Sequence, residues 1–211
     1  MNRITSLCIS LIVLAGSSGC LGGARAHQIA DRQKRSFLLE ASAAQPLAPA
    51  PRFGAALLRS LRVQPPFDAR TFLIRRGQNE FAADFYHGWI APPAVLIRSQ
   101  TARYLRETGL FGTVFDQPGG TRVPLGLECI VSDLYLDHSG EQPAAVVAMR
   151  VLVLDERTTD FPVLFTCEKQ ARVPLASSDA GTAAEAFGLA LTQTLEAVAQ
   201  SLATAPLSEI R

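Results

Sequence analysis

Residues 121–173, TRVPLGLECIVSDLYLDHSGEQPAAVVAMRVLVLDERTTDFPVLFTCEKQARV, carry the clearest structural signal in the chain. Leu125, Leu127, Cys129 and Val131 recur at every second position, the period of a strand with one buried face. Leu134 and Leu136 take the opposite parity, which predicts a bulge near Ser132-Asp133. After a turn at His138-Ser139-Gly140-Glu141, Ala145, Val147, Met149, Val151 and Val153 repeat the pattern over 144–154. Asp155 to Asp160 turns the chain again. Over 163–173, Val163, Phe165 and Cys167 point inward, with Thr166, Glu168, Gln170 and Arg172 outward. Three long strands joined by short turns predict an antiparallel meander with one wet face.

Outward from the meander, the apolar face of the sheet needs a cover. Thr182-Ala183-Ala184-Glu185 has the form of a capping box and opens a helix. Phe187, Leu191, Leu195, Val198 and Leu202 form its stripe, and Pro206 ends it. A second helix starts at Pro92-Pro93, with Ile97, Thr101, Tyr104 and Leu105 on one face and Gly109 as its C-cap. Its Arg98, Arg103, Arg106 and Glu107 read as solvated. Further strands are expected at 36–40, 57–63, 71–75, 81–89 and 111–115. The proline- and alanine-rich run 41–51 reads as an extended loop. The expected fold is therefore α+β and two-layer: a mostly antiparallel sheet packed against two amphipathic helices.

The N-terminus reads as an export signal. Arg3 is followed by the apolar run Leu7 to Ala15, too short to span a bilayer, and then by small residues up to Cys20. Cys20 stands where a bacterial lipoprotein carries its acyl chains. This divides the chain into a signal over 1–19, a tether over 20–34 and a single domain over 35–205. Ser17 stands three residues before the cysteine, where Leu is usual. A cut after Ala24-Arg25-Ala26 would instead release a soluble periplasmic protein, and retention of the segment would make it an anchor. All three readings place the domain outside the cytoplasm. Leu21, rather than Asp, follows the cysteine, which favours the outer membrane.

The 211 residues suit one domain, and 48% hydrophobic content supports a core. Without Arg3 the chain carries 19 basic and 19 acidic residues, a balance that gives no support for nucleic-acid binding. Cys129 and Cys167 lie in a compartment where a disulfide could persist. Both have core parity. If their strands flank a third they stand about 10 Å apart, beyond bridging reach. A bridge and two free buried thiols remain the alternatives.

No phosphate loop, metalloprotease helix or nucleophile elbow is present, no cofactor is implied, and no enzyme is expected. Asp133, Asp137 and His138 read as turn composition rather than as metal ligands. His87 reads as a packed strand residue. Trp89, the one tryptophan, reads as packed between sheet and helix, with a partner surface as the alternative. Arg75 and Arg76 read as a solvated pair or a partner contact.

Arg75/Arg76-Gly77, Trp89-Ile90-Ala91-Pro92 and Gly109-Leu110-Phe111, in that order, resemble the ABC-type transport auxiliary lipoprotein family. The strand Phe37-Leu38-Leu39 fits its early motif, and the likeness runs from about Ser36 through the last helix. The resemblance implies a non-enzymatic subunit at the outer membrane. Its partners would be an ABC permease, an ATPase and an MCE-domain protein that together move lipids or other hydrophobic molecules. It further implies a homo-oligomeric ring, and only Cys20 maps as a family site. A scaffold or activator lipoprotein for peptidoglycan or outer-membrane assembly, and a soluble lipid-binding protein, are the competing functions.

Overall fold

A computed structural model describes residues 33–120 and 122–207. Cys20 and the signal segment lie outside the described residues. The elements, in order, are β1 (Arg35–Phe37), β2 (Phe53–Val63), β3 (Thr71–Arg75), β4 (Phe81–Trp89), α1 (Pro93–Glu107), β5 (Phe111–Phe115), β6 (Leu125–Asp137), β7 (Ala144–Asp155), β8 (Val163–Pro174) and α2 (Ala180–Thr204). Among the described residues no helix is long and apolar enough to cross a membrane.

Strand β6 organises an eight-stranded mixed sheet. One of its edges pairs with β7 along the whole strand, from Leu125↔Asp155 to Asp137↔Ala144. Its other edge pairs first with β2, up to Val63↔Val131, and then with β3 at Ile74↔Leu136 and Arg75↔Asp137. The register breaks between Val131 and Asp133. The bulge read from the parity change is thus where the free edge of β6 passes from one partner to the next. Strand β5 extends the β2 branch, while β4 and then β1 extend the β3 branch.

The expected meander of β6, β7 and β8 is present and antiparallel. The sheet as a whole is not mostly antiparallel. Pairs β1–β4, β2–β5, β2–β6 and β3–β6 run parallel, and only β3–β4, β6–β7 and β7–β8 run antiparallel. Parallel neighbours need long crossovers, and these leave no mark in local hydrophobic spacing.

Helix α2 packs on β7 and β8, and α1 on β2 and β5. The stripe Phe187, Leu191, Leu195, Val198 and Leu202 is buried, as are Ile97, Thr101, Tyr104 and Leu105 of α1. Gly109 adopts φ +70° just past α1, the left-handed cap expected of a glycine there. The cap of α2 is not the expected box. Asp179 is the N-cap and accepts from the Gly181 and Thr182 amides, so Thr182 already lies inside the helix. Val163, expected inward, is 54% exposed because it begins the edge strand β8.

Residues 38–52 form no regular element, yet Leu39 and Ala41 are buried. Their backbone is satisfied by helix side chains. Gln100 accepts from the Ala41 amide, Glu107 from Ala44 and Thr192 from Ser42, while Arg103 donates to the Ala41 carbonyl. Arg98 likewise donates to the carbonyls of Asp116 and Leu58, and Arg106 to that of Val114. These α1 side chains are therefore not simply solvated. They close backbone groups that would otherwise stay unpaired next to the core.

Candidate functional site

The sheet face turned away from the helices gathers the charged residues. The odd-numbered positions of β3 put Leu73 and Arg75 there, and the post-bulge parity of β6 adds Asp133, Tyr135 and Asp137. Arg75 Nε and Nη2 donate to Asp137 Oδ1 and Oδ2 at 3.1 and 2.7 Å. Arg172 donates to the same carboxylate, and Ser139 gives it both its amide and its hydroxyl. The Arg75 guanidinium, then Ser139 and Arg172, hold the Asp137 carboxyl well below the usual carboxylate range, although Asp137 is only 3% exposed. Burial pushes Asp133 upward instead. Arg150 and Glu168 pair across β7 and β8 at 2.8 Å.

An aromatic cluster sits beside this network. Phe67, Phe81 and Tyr135 lie within 5.5–5.9 Å of one another, and the Arg75 guanidinium covers Tyr135 at 5.1 Å. Tyr135 with Leu73 and Val146 forms a small second core on this face, and Phe67 packs against it. The face is thus not uniformly wet.

Of the three residues named as a partner surface, the structure separates all three. Arg75 is committed to Asp137 and Tyr135. Arg76 is exposed, and among the described residues it joins no salt bridge. Trp89 is 3% exposed and packs edge-on against Phe72 and Phe187 at 4.6 and 5.1 Å. It has no surface to offer a partner, because β1 covers its strand and α2 covers its ring.

Cys129 and Cys167 are free thiols. Both pair with Val151, from opposite sides of β7, so a full strand separates them and no bridge forms. Burial pushes the Cys129 thiol up to about 12 and also raises Cys167. Neither is an activated nucleophile.

One arrangement was missed in the sequence. Strand β4 is not a regular alternating run. Thr71 pairs with Gly88 and Leu73 with Ala83, so Phe72 alone on β3 faces Asp84, Phe85, Tyr86 and His87 on β4. Strand β4 thus carries three extra residues and bulges into an arch on its β3 side, while its other edge stays in the sheet, with His87 paired to Arg35 of β1. Asp84 holds the arch: Oδ1 accepts from the Tyr86 and His87 amides at 2.9 and 3.1 Å, and Oδ2 lies 2.8 Å from His87 Nδ1. Gly88 closes it, since a Cβ there would overlap the Arg70 carbonyl oxygen. The signal was Asp84 itself, an Asx-turn former within an apolar run, with Gly88 four residues on.

Protein XCC0632 from Xanthomonas campestris shares the fold, with TM-score 0.68 and 21% identity over 81% of this chain and 96% of its own. A second, uncharacterized protein matches with TM-score 0.62 and 12% identity over 81% of this chain and 99% of its own. No curated protein matches the chain. The model of the ABC-type transport auxiliary lipoprotein component matches residues 37–199, from β1 into α2. The chain belongs to that family, whose members are envelope lipoproteins associated with an ABC transport system.

Proposed function

We propose that this chain is the lipoprotein subunit of an MCE/ABC-type system that moves lipids or other hydrophobic molecules across the cell envelope. Acyl chains on Cys20 would hold it at the outer membrane, with residues 35–205 in the periplasm. It acts by contact rather than by catalysis: the transporter's ATPase supplies the energy, and this domain docks the conduit. The match over residues 37–199 is the observation that carries the reading. The placement of Cys20 after a short apolar run supports the anchor.

The docking surface on this reading is the exposed sheet face together with the β3–β4 turn around Arg76 and Asn79. Arg75 serves that surface indirectly, since its charge is already neutralised by Asp137. Purification of the acylated chain from native membranes, with identification of attached proteins, tests the proposal. An MCE-domain protein and an ABC permease should co-purify, and Arg76→Glu should weaken their retention. Recovery of a peptidoglycan synthase or of outer-membrane assembly factors in their place would overturn it.

A further inference from the structure

The arch at Asp84–His87 displays an aromatic ring into water by design. Phe85 is 68% exposed, and neighbouring Ile90 is 53% exposed. Scattered exposed apolar residues are ordinary, but this one stands on a scaffold. A carboxylate with three hydrogen-bonded donors shapes the loop beneath it, and Tyr86 supports the ring edge-on at 5.2 Å. Bulges of this kind re-aim side chains.

Cations surround the ring. Lys34 Nζ lies 4.3 Å from the Phe85 centroid. Arg70 reaches the Ile90 carbonyl at the other side of an open groove of about 310 Å³. Arg35 lines the same groove but is paired with Asp179. Among the described residues, neither Lys34 nor Arg70 pairs with a carboxylate, and the nearby Asp84 is fully engaged within the arch. The patch therefore combines the exposed Phe85 ring and Ile90 with two cations, Lys34 and Arg70, against the one carboxylate of Asp84, a net positive balance that suits an anionic lipid surface.

The chain's own connectivity points the same way. The segment running back to Cys20 leaves the fold at Lys34, beside Phe85. Leu21–Gln33 reaches at most roughly 43–47 Å when fully extended. Acyl chains on Cys20 would therefore keep this side of the domain at high effective concentration near the bilayer, where a weak contact suffices.

We infer that the Phe85–Ile90 side of β4, with Lys34 and Arg70, docks on an anionic phospholipid surface and so orients the domain. The inference rests on the lipid anchor of the proposed function.

Photo-crosslinking tests it. The full chain, purified from membranes with its acyl state read by mass spectrometry, carries a benzophenone amino acid in place of Phe85 or, as control, of Phe161 at the β7–β8 turn. Each is reconstituted in vesicles of phosphatidylethanolamine with phosphatidylglycerol, or of phosphatidylcholine alone. Lipid adducts at position 85 should exceed those at position 161 about tenfold in the anionic vesicles. Lys34→Glu and Arg70→Glu should each reduce them about fivefold. An acylated chain with equal adducts at both positions overturns the patch and keeps the anchor. Protein adducts at position 85 that replace the lipid adducts overturn it as well. A chain without acyl groups that still gives lipid adducts at position 85 keeps the patch and retires the anchor.

Discussion

Helix α2 and the Asp84–His87 arch both hold an aromatic ring, and they use different physics. In α2, Phe187 is fixed by packing against Phe72 and Trp89 at centroid separations of 5.5 and 5.1 Å, with water excluded. In the arch, Phe85 has little to pack against, and its position comes from hydrogen bonds between Asp84 and the backbone around it. Apolar burial places a side chain where it should be hidden. Showing an apolar side chain to water at a fixed place requires polar scaffolding underneath. The first device stabilises the fold and the second serves a surface, so breaking each should leave a different signature.

Phe187→Ala should have the largest effect. It empties the contact between α2, β3 and β4 and should cost about 3–5 kcal/mol in urea unfolding. Gly88→Ala comes next, because its Cβ would meet backbone at Arg70 rather than a movable side chain. About 1–3 kcal/mol should be lost, together with the amide protection of the arch in hydrogen exchange.

Asp137→Asn should cost about 1–3 kcal/mol near neutral pH, leaving Arg75 and Arg172 without their shared carboxylate. Its pH signature is specific. The carboxyl titrates lower in the folded state than in the unfolded chain, so its contribution is complete above about pH 4 and is lost as the pH falls below that. The variant should flatten the acid limb of a plot of stability against pH.

Asp84→Ala should cost about 1 kcal/mol, yet it should loosen residues 84–87 selectively in hydrogen exchange. Arg76→Glu closes the order, with less than about 0.5 kcal/mol on stability. Any larger consequence should appear only in partner retention. If Asp84→Ala proved as costly as Phe187→Ala, the arch would be a core element and the contrast would fail.

The sequence made the α2 side legible and the arch side opaque, for one reason. Period-two and period-3.6 spacing report burial on one face. Leu125 to Val131, Ala145 to Val153 and Phe187 to Leu202 therefore came out as they stand in the structure. Even the break at Ser132 showed, because a bulge reverses parity. Phe81, Ala83, Phe85 and His87 kept an even alternation that hid a bulge of three extra residues, since Asp84 acts through hydrogen bonds and not through hydrophobicity. The parallel pairings of β2 with β6 and of β3 with β6 were hidden in another way, because they join segments far apart in the chain. Trp89 is packed between sheet and helix as its sequence reading had it, against Phe72 and Phe187, which excludes the alternative of a partner surface. Asp137 was read as a turn former, and its Asx contact to Ser139 is real. Its pairing with Arg75 needed the β3–β6 register to be seen.

Everything functional in this account depends on the domain being held to a membrane at its N-terminal side. Intact-mass analysis of the mature chain from native membranes tests that most directly. The expected species begins at Cys20 and carries a diacylglyceryl group with a further fatty acyl chain. A species that begins at His27, recovered without lipid from the periplasmic fraction, would contradict it.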